Sequence, residues 1–374
     1  MNAAPGRIAA AQELFRSDEL LVRRIGGLGS AICYVTFASY TDDRTLDRPG
    51  FGEDHFRARG IDAVHVLSRE NRWYQHPELD EALAAVAAAT KGYEQVIAYG
   101  SSMGGFAALR YGATCGATVG LALSPQYTVD PAAVPFDRRW AEDVARIAFR
   151  DDDRLPALPR QYIAFDPCDP HDRQHFELFA ARSPTQGVPV PHGGHPVGSY
   201  LVETDMLRAL LQGIEAGSFD AHAYARELRR HRRRSGHYFY ILARRTPAYR
   251  PRQKLALARL AVETQGDNAL YQSQFGAALD AAGQFEAAFA AHQRAIAMPH
   301  AGMFQTHYLM LHHEARGDYD RALAIVDELI EANPGVLWLP FERKRVRRKR
   351  RHQTWIGRVG GKLGLDGVLE RLLY

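Results

Sequence analysis

One stretch of the chain, residues 95–109, constrains the fold more than any other. It has the pattern of an apolar strand, a five-residue turn and an alanine-rich helix, and the turn fits G-x-S-x-G with Gly100, Ser102 and Gly104 at its fixed positions. This spacing holds a serine on a strained turn with its hydroxyl exposed, and the glycines let neighbouring backbone pass too closely for a Cβ atom. Because the N-terminus of the following helix favours negative charge at the reacting centre, the stretch predicts a nucleophilic serine.

The segments around this turn alternate between strand and helix. The alternation predicts an α/β fold, with a mostly parallel sheet and helices on both faces. In such a sheet the functional side chains gather beyond the carboxyl ends of the strands. The predicted strands are residues 20–25, 31–37, 62–67, 95–99, 118–123, 161–165 and 188–191, and the predicted helices are 78–89, 104–112, 138–148 and 200–214.

The turn at Ser102 resembles the nucleophile elbow of the α/β-hydrolase superfamily, in which an acid and then a histidine follow the serine along the chain. Two histidines, His192 and His195, follow the last predicted strand. The resemblance implies that His195 is the general base, because it comes after paired glycines and before a helix. His192 is the alternative.

The acid of the same resemblance is expected on the loop after residues 161–165. Asp169 fits the family pattern best, since it stands four residues beyond the strand and before a proline. Asp166 and Asp172 lie on the same loop and remain open alternatives. A carboxylate is needed there because it holds the imidazole in the tautomer that accepts the serine proton.

An enzyme of this kind also needs two backbone N–H groups to hold an oxyanion. We expect one from Met103, directly after the nucleophile, and the other from Ser39 or Ala38, after the strand at residues 31–37. Many relatives carry His-Gly at this second turn, and this chain does not. Because the donors are backbone amides, the missing His-Gly pair does not argue against an oxyanion hole. It does make the choice between Ser39 and Ala38 less certain.

Side chains on the same rim are candidates for binding substrate. Trp73, Tyr74 and Gln126 follow two of the predicted strands, where aromatic and amide groups can hold a sugar or an acyl group. Packing of Trp73 and Tyr74 within the loop is an equally good reading. Only about 35 residues connect the strands on either side of residues 124–160, so we expect at most a small lid and a site open to bulky substrates.

Composition limits the remaining classes. The 374 residues are 46% hydrophobic, enough for more than one packed domain, and no stretch reaches the ~20 apolar residues of a membrane span. The first residues lack the apolar centre of a signal peptide and lead into acidic, helix-like sequence. The three cysteines, Cys33, Cys115 and Cys168, are scattered, which favours reduced thiols and a cytoplasmic location. No spacing indicates a metal site or a nucleotide cofactor, so none is predicted.

The net charge of +4 conceals an uneven distribution. Residues 1–220 hold 21 Lys and Arg against 29 Asp and Glu, whereas residues 221–374 hold 26 against 14. This change predicts a hydrolase domain at residues 1–217, a helical domain at 218–340 and a basic, partly amphipathic tail at 341–374.

The helical domain contains two segments with a period of 34 residues. Gly283 corresponds to Gly317 and Ala288 to Ala322, and each copy is a helix, a Gly-x-aromatic turn, a second helix and a proline. The copies, residues 270–299 and 303–334, resemble tetratricopeptide repeats, with a degenerate earlier copy before them. The resemblance implies a protein or peptide partner, or dimerisation.

The tail begins with eight cations in residues 343–352 and continues into a segment, 355–374, that is apolar and contains five glycines. Such a run can bind an anionic membrane surface, which would make the protein peripheral to the membrane. Nucleic acid is a less favoured partner, because no nucleic-acid-binding motif accompanies the charge. A solvated basic tail explains the run equally well.

Together these features predict a serine hydrolase that cleaves an ester or related acyl bond through an acyl-enzyme, with the helical repeats as a binding module. One alternative is a non-catalytic scaffold of the same fold that acts through its repeats. Another is a peripheral membrane esterase or acyltransferase acting on envelope glycans.

Overall fold

The computed structural model describes residues 11–150 and 155–363, with side chains as far as residue 354. The chain divides into two compact units, Met1–Arg232 and Arg233–Tyr374. The first is built on a sheet and the second is helical.

The sheet of the first unit has eight strands in the order β1-β2-β4-β3-β5-β6-β7-β8. At one edge β1 pairs antiparallel with β2, and β2 pairs antiparallel with β4; all the pairings from β4 to β8 are parallel. The α/β class predicted from the sequence is therefore confirmed. The strands are β1 (Ala11–Arg16), β2 (Leu20–Ile25), β3 (Ile32–Phe37), β4 (Asp62–Ser68), β5 (Gln95–Ser101), β6 (Val119–Leu123), β7 (Arg160–Phe165) and β8 (Thr185–Pro189).

Helices cover this sheet, and its central strands are buried on both faces. Val35, Ala98 and Leu121 on three neighbouring strands have no exposed surface. Parallel strands buried on both sides need continuous apolar runs, and β3, β5 and β6 have them. The helices of the first unit are α1 (Glu53–Ala58), α2 (Leu79–Ala89), α3 (Met103–Tyr111), α4 (Ala141–Val144), α5 (Pro170–Ala180), α6 (Gly198–Glu203), α7 (Met206–Glu215) and α8 (Ala221–His231).

Two elements of the first unit differ from the sequence prediction. The acidic N-terminal stretch, expected to be helical, is the edge strand β1, because its backbone pairs with β2. The helix expected at residues 138–148 is reduced to the single turn α4. Just before it, Asp137 accepts a hydrogen bond from the backbone N–H of Arg139, and this local turn competes with a helix start.

The boundary between the units also lies later than the composition suggested. Helix α8 belongs to the first unit and follows Gly217. The Tyr224 hydroxyl of α8 donates a hydrogen bond to the Met206 carbonyl, and the rings of Phe219 and Tyr162 pack edge to face. The change in net charge, near residue 220, therefore comes before the boundary between the two packed units, which follows Arg232.

The second unit is a succession of antiparallel helices. Gly283 and Gly317 both have positive φ angles, of 72° and 75°, and each follows the end of a helix. Ala288 and Ala322 are fully buried in the helices that follow. This geometry fits the 34-residue period, while assignment to a named repeat family stays a prediction. The helices are α9 (Gly236–Arg245), α10 (Pro251–Thr264), α11 (Ala269–Ala281), α12 (Phe285–Ala297), α13 (Met303–Ala315), α14 (Tyr319–Ala332) and α15 (Leu339–Leu363).

The basic run at residues 343–352 belongs to helix α15 and is not a separate tail. Val346 on this helix is fully buried, and Arg345 and Lys349 both reach the carboxylate of Glu314. Part of the positive charge is therefore neutralised within the unit. The side chains of the apolar segment 355–374, expected to complete the tail, lie outside the described residues. No helix in the described part of the chain combines the length and apolar character that a membrane crossing needs.

Candidate active site

Ser102 lies at the turn between β5 and α3, at the carboxyl end of the central strands. Its backbone has φ 50° and ψ −117°, a conformation that side-chain-bearing residues rarely adopt. The flanking glycines make the turn sterically possible. A Cβ on Gly100 would collide with the Gly104 carbonyl, and one on Gly104 would collide with the Phe37 carbonyl.

His195 lies on the loop after β8 and faces this serine. The Ser102 Oγ is 3.0 Å from His195 Nε2. The other ring nitrogen, Nδ1, lies 2.7 Å from the Asp172 Oδ1. A carboxylate accepts hydrogen bonds, so the ring proton is assigned to Nδ1, and Nε2 is left to accept the serine proton.

The carboxylate that meets His195 belongs to Asp172, and the prediction of Asp169 was wrong. Asp169 is the N-cap of α5, where its side chain accepts the backbone N–H groups of His171 and Asp172. The preference for aspartate at a helix N-cap therefore accounts for this residue. Asp172 lies within the first turn of the same helix and points to the imidazole.

Asp166, the other alternative, has a structural position too. Its carboxylate accepts the backbone N–H groups of Cys168, His192 and Gly194. It thereby joins the loop after β7 to the loop that carries His195. The alternative base, His192, is held by its backbone at a positive φ of 62° in this second loop.

The environment of Asp172 favours its ionised form. Burial raises the pKa of this carboxyl, but the interactions with His195, Ser124 and Arg139 outweigh burial and hold the pKa below its usual value. The Arg139 guanidinium lies 3.7 Å from Asp172 Oδ1. Asp172 is thus prepared to stabilise an imidazolium on its partner.

A second set of buried polar groups lies behind this carboxylate, and sequence reasoning did not find it. Asp137 accepts two hydrogen bonds from the Arg139 guanidinium and one from His175 Nε2, at 3.0 Å. His175 Nδ1 in turn accepts the backbone N–H of Tyr127. Arg139, the member nearest to Asp172, is fixed by Asp137. The only signal in the sequence was an unusual density of charge after β6.

Two of the three residues expected to bind substrate belong to the core of the first unit. Trp73 and Tyr74 have no exposed surface, and the Tyr74 hydroxyl donates to the Ala38 and Val66 carbonyls. The prediction that Tyr74 contacts substrate was therefore wrong. The large rings of Trp73 and Tyr74 instead pack in the hydrophobic core beside the sheet.

Gln126, the third of these residues, lies in the site itself. Its side-chain amide donates to the Ser102 Oγ at 3.1 Å and is 3.4 Å from His195 Nε2. Its carbonyl accepts the indole N–H of Trp73, also at 3.1 Å. Trp73 therefore orients Gln126, and Gln126 places a hydrogen-bond donor on the serine oxygen.

The predicted oxyanion donors, Met103 and Ser39, lie near Ser102. Met103 is the first residue of α3, where backbone N–H groups have no acceptor within the helix. The Ser39 hydroxyl donates to the Ser101 carbonyl and ties the β3 loop to the elbow. The N–H of Ala38, the alternative to Ser39, is occupied by the Val66 carbonyl.

The site is more enclosed than its short connections suggested. Ser102 is 5% exposed and the His195 side chain 13%. The Trp140 ring lies 6.2 Å from the His195 ring and 5.1 Å from that of Tyr40. Trp140, in the described part of the segment after β6, therefore lies close to His195 and helps to enclose the site. A cavity of about 520 Å³ in the same unit is lined by Trp73, whose indole N–H bonds Gln126, and by Phe106, Arg110 and Tyr127 among others.

Comparison with known proteins gives similarity of architecture alone. No family model and no curated protein matches the chain. A capsule O-acetyltransferase of Neisseria meningitidis serogroup A is 12% identical, with a TM-score of 0.39 over 54% of this chain and 94% of that one. A lidless α/β serine hydrolase of Xanthomonas campestris is 15% identical, with a TM-score of 0.30 over 50% and 87%. At these values the likeness carries no argument about the reaction.

Proposed function

We propose that this protein is a serine-dependent acyl hydrolase or acyltransferase whose nucleophile is Ser102. The observation that carries the proposal is the unbroken chain of contacts from Ser102 Oγ to His195 Nε2, and from His195 Nδ1 to Asp172. It starts at a strained elbow, a position with no packing use for a serine. Nucleophile, base and orienting acid are the three parts that acyl transfer through a serine requires.

The reaction follows from the geometry. His195 Nε2 accepts the hydroxyl proton while the Ser102 Oγ attacks the carbonyl carbon of an acyl ester. Negative charge then develops on the carbonyl oxygen, and the backbone N–H groups of Met103 and Ser39 are the proposed donors. Asp172 stabilises the imidazolium formed in this step. His195 then gives its proton to the departing alkoxide, which leaves as an alcohol, and the acyl group remains on Ser102.

The second half repeats these steps with an incoming hydroxyl group. His195 removes the proton of water or of an acceptor alcohol, whose oxygen attacks the acyl-enzyme. The tetrahedral intermediate collapses, and the proton returns to Ser102. An acceptor alcohol that binds beside His195 would displace water from this enclosed pair and receive the acyl group in its place. Hydrolysis and transfer therefore use the same groups and differ in the acceptor.

The helical unit is proposed as the binding module of this enzyme, for a protein partner or a second copy. In support, the side chains of Phe304, Leu337 and Phe341 are largely exposed. The scaffold alternative assigns the whole function to this unit and none to Ser102. The two readings differ in whether the serine reacts.

Labelling with a fluorophosphonate tests this directly. We expect the full-length protein to be labelled once, and to release p-nitrophenol from the acetate ester. Ser102→Ala and His195→Ala should abolish both signals. Intact-mass measurement during turnover, with and without glycerol as acceptor, separates transfer from hydrolysis. A well-folded wild-type protein that neither labels nor turns over would remove the enzymatic proposal and favour the scaffold.

A further inference from the structure

The second unit contains a buried cluster of three side chains from successive helices. Asp280 on α11 lies between His292 on α12 and His312 on α13. His292 Nε2 is 3.0 Å from Asp280 Oδ2, and His312 Nδ1 is 2.7 Å from Asp280 Oδ1. One donor atom from each residue therefore falls within 4.8 Å of the other two.

Both imidazoles of this cluster are fully buried. A Cβ on Gly276 would lie 2.5 Å from His292 Cε1, so the backbone of α11 passes directly against this ring. The ring nitrogens that face away from the carboxylate, His292 Nδ1 and His312 Nε2, have no hydrogen-bond partner among the described residues. The rings are thus fixed through the two nitrogens that converge on Asp280.

We propose that Asp280, His292 and His312 bind a zinc ion. Two imidazoles and a carboxylate are a donor set that suits Zn²⁺, whereas Ca²⁺ and Mg²⁺ prefer oxygen ligands alone. Moving two imidazoles and a carboxylate from water into the protein interior costs free energy of desolvation. Coordination to a cation offsets that cost. The three ligands leave a fourth position for water.

The protons balance without an external base. In the metal-free cluster the ring protons lie between the imidazoles and Asp280. Coordination needs lone pairs at His292 Nε2 and His312 Nδ1, so each ring releases that proton to water and takes up one from water at its opposite nitrogen, which has no partner among the described residues. Zinc–ligand bonds of about 2.0–2.2 Å require the donor atoms to separate by a few tenths of an ångström from their hydrogen-bonded spacing.

Such a site would fasten α11, α12 and α13 together. Short helical stacks bury little surface per repeat, and a metal ligand from each of three consecutive helices compensates for that. Sequence spacing does not reveal this site, because Asp280, His292 and His312 are separated by more than ten residues each and form none of the short Cys and His spacings of zinc motifs. Only helix packing brings them together.

The matched control is the neighbouring histidine on α13. His313 Nδ1 contacts Asp318, outside the cluster. Tag-free full-length protein, His292→Gln, His312→Gln and His313→Gln are each loaded with ZnCl₂, dialysed, and assayed for metal by mass spectrometry and for melting temperature with and without a chelator. We expect one zinc per chain, and a chelator-sensitive melting temperature, in the wild type and His313→Gln. Both properties should be lost in His292→Gln and His312→Gln.

Absence of stoichiometric zinc from the wild type would overturn the proposal, and so would equal zinc in all four proteins. If the cluster variants lose their helical circular dichroism signal, they are misfolded and cannot serve as a comparison. A cobalt experiment on the wild type alone then tests the site. Loaded with CoCl₂, the wild type should develop the intense visible absorption of tetrahedral cobalt, and zinc should displace that absorption. A wild type that stays colourless contradicts the site.

Discussion

The carboxylate of Asp172 lies 2.7 Å from His195 Nδ1, and its side chain is 1% exposed. Burial of the Asp172 carboxylate and its contact with Nδ1 both restrict the His195 ring. The imidazole is held in one tautomer, with its second nitrogen 3.0 Å from the Ser102 hydroxyl. The neighbouring Asp169 has a carboxylate of the same kind, which instead caps α5 by accepting the backbone N–H groups of His171 and Asp172.

Substitution of Asp172 should therefore lower kcat strongly, whereas the same substitution at Asp169 should change it little. Asp172→Asn is expected to lower kcat by about 10⁴-fold, because an amide can hold the imidazole in the wrong tautomer. Asp169→Asn should leave kcat within about threefold, because asparagine is an equally good N-cap. Hydrolysis of p-nitrophenyl acetate measures both. Equal losses in the two variants would contradict the assignment of Asp172.

The amide of Gln126 is expected to help catalysis as a hydrogen-bond donor to the serine oxygen. Gln126→Glu keeps the shape but removes the donor and adds a negative charge beside Ser102. We expect kcat/KM to fall by about 100-fold or more. Trp73→Phe, which removes the indole N–H that orients Gln126 together with part of a buried ring, should lower kcat/KM by less. If the glutamate variant retains full activity, the contact with Ser102 has no catalytic role.

Asp137, which bonds Arg139 and His175, is expected to contribute to the free energy of unfolding of the first unit. Burial raises the pKa of its carboxyl, but hydrogen bonds from His175 and Arg139 outweigh burial and hold the pKa well below its usual value. A depressed carboxyl pKa stabilises the fold above about pH 4, and the stabilisation is lost as the pH falls further. At pH 7, Asp137→Asn should reduce the free energy of unfolding by about 3 kcal/mol, because Arg139 is left without its carboxylate.

Urea denaturation measures that loss. Asp130→Asn is the control, because its carboxylate accepts one exposed backbone N–H and has little to lose. A loss below about 1 kcal/mol in Asp137→Asn would mean that water replaces the carboxylate.

A second dependence on pH is expected from His76. Burial lowers the pKa of this imidazole to about 4, and Nδ1 has no partner among the described residues to accept a bond from a second proton. Because the folded pKa is lowered, the contribution to stability is complete above about pH 6.5 and is lost as the pH falls towards 4. The free energy of unfolding should drop over this range.

The His76→Gln variant should show a shallower fall, by at most about 3 kcal/mol between pH 7 and pH 4.5. His65 has a similarly lowered pKa and should maintain part of the slope in this variant. Denaturation curves at the two pH values provide the comparison. Parallel slopes in wild type and variant would show that His76 does not titrate with unfolding.

Gly276 tests the packing of the helical unit. A Cβ at this position would press on the His292 ring, so Gly276→Ala should destabilise the unit by about 1–3 kcal/mol, although alanine is the better helix former. Gly335→Ala is the control, because nothing lies within 4 Å of a Cβ there. Thermal melts compare them, and an unchanged melting temperature in Gly276→Ala would mean that the ring moves aside freely.

The sequence by itself determined the architecture of the first unit and the strand-turn-helix position of Ser102, the proposed nucleophile. Strand β5, the elbow and α3 are fixed by local rules, since apolar runs predict buried strands and only glycines fit where backbones touch at residues 100 and 104. The choice of His195 over His192 rested on the family resemblance, and its ring lies 3.0 Å from the Ser102 hydroxyl. In the second unit, the positive φ angles of Gly283 and Gly317 have the same local origin.

Tertiary structure alone decided which aspartate meets the histidine. Asp166, Asp169 and Asp172 lie on one short segment, and each has a partner that is distant in sequence or set by the start of α5. Asp169 is the extended N-cap residue, and its carboxylate accepts the first backbone N–H groups of α5, whereas Asp172 lies within the helix and its carboxylate meets the imidazole. The histidine arrives from the loop after β8, so packing of the loops decides which carboxylate it meets, and no local pattern records that. The meeting of Asp280 with His292 and His312 depends on the packing of three helices for the same physical reason.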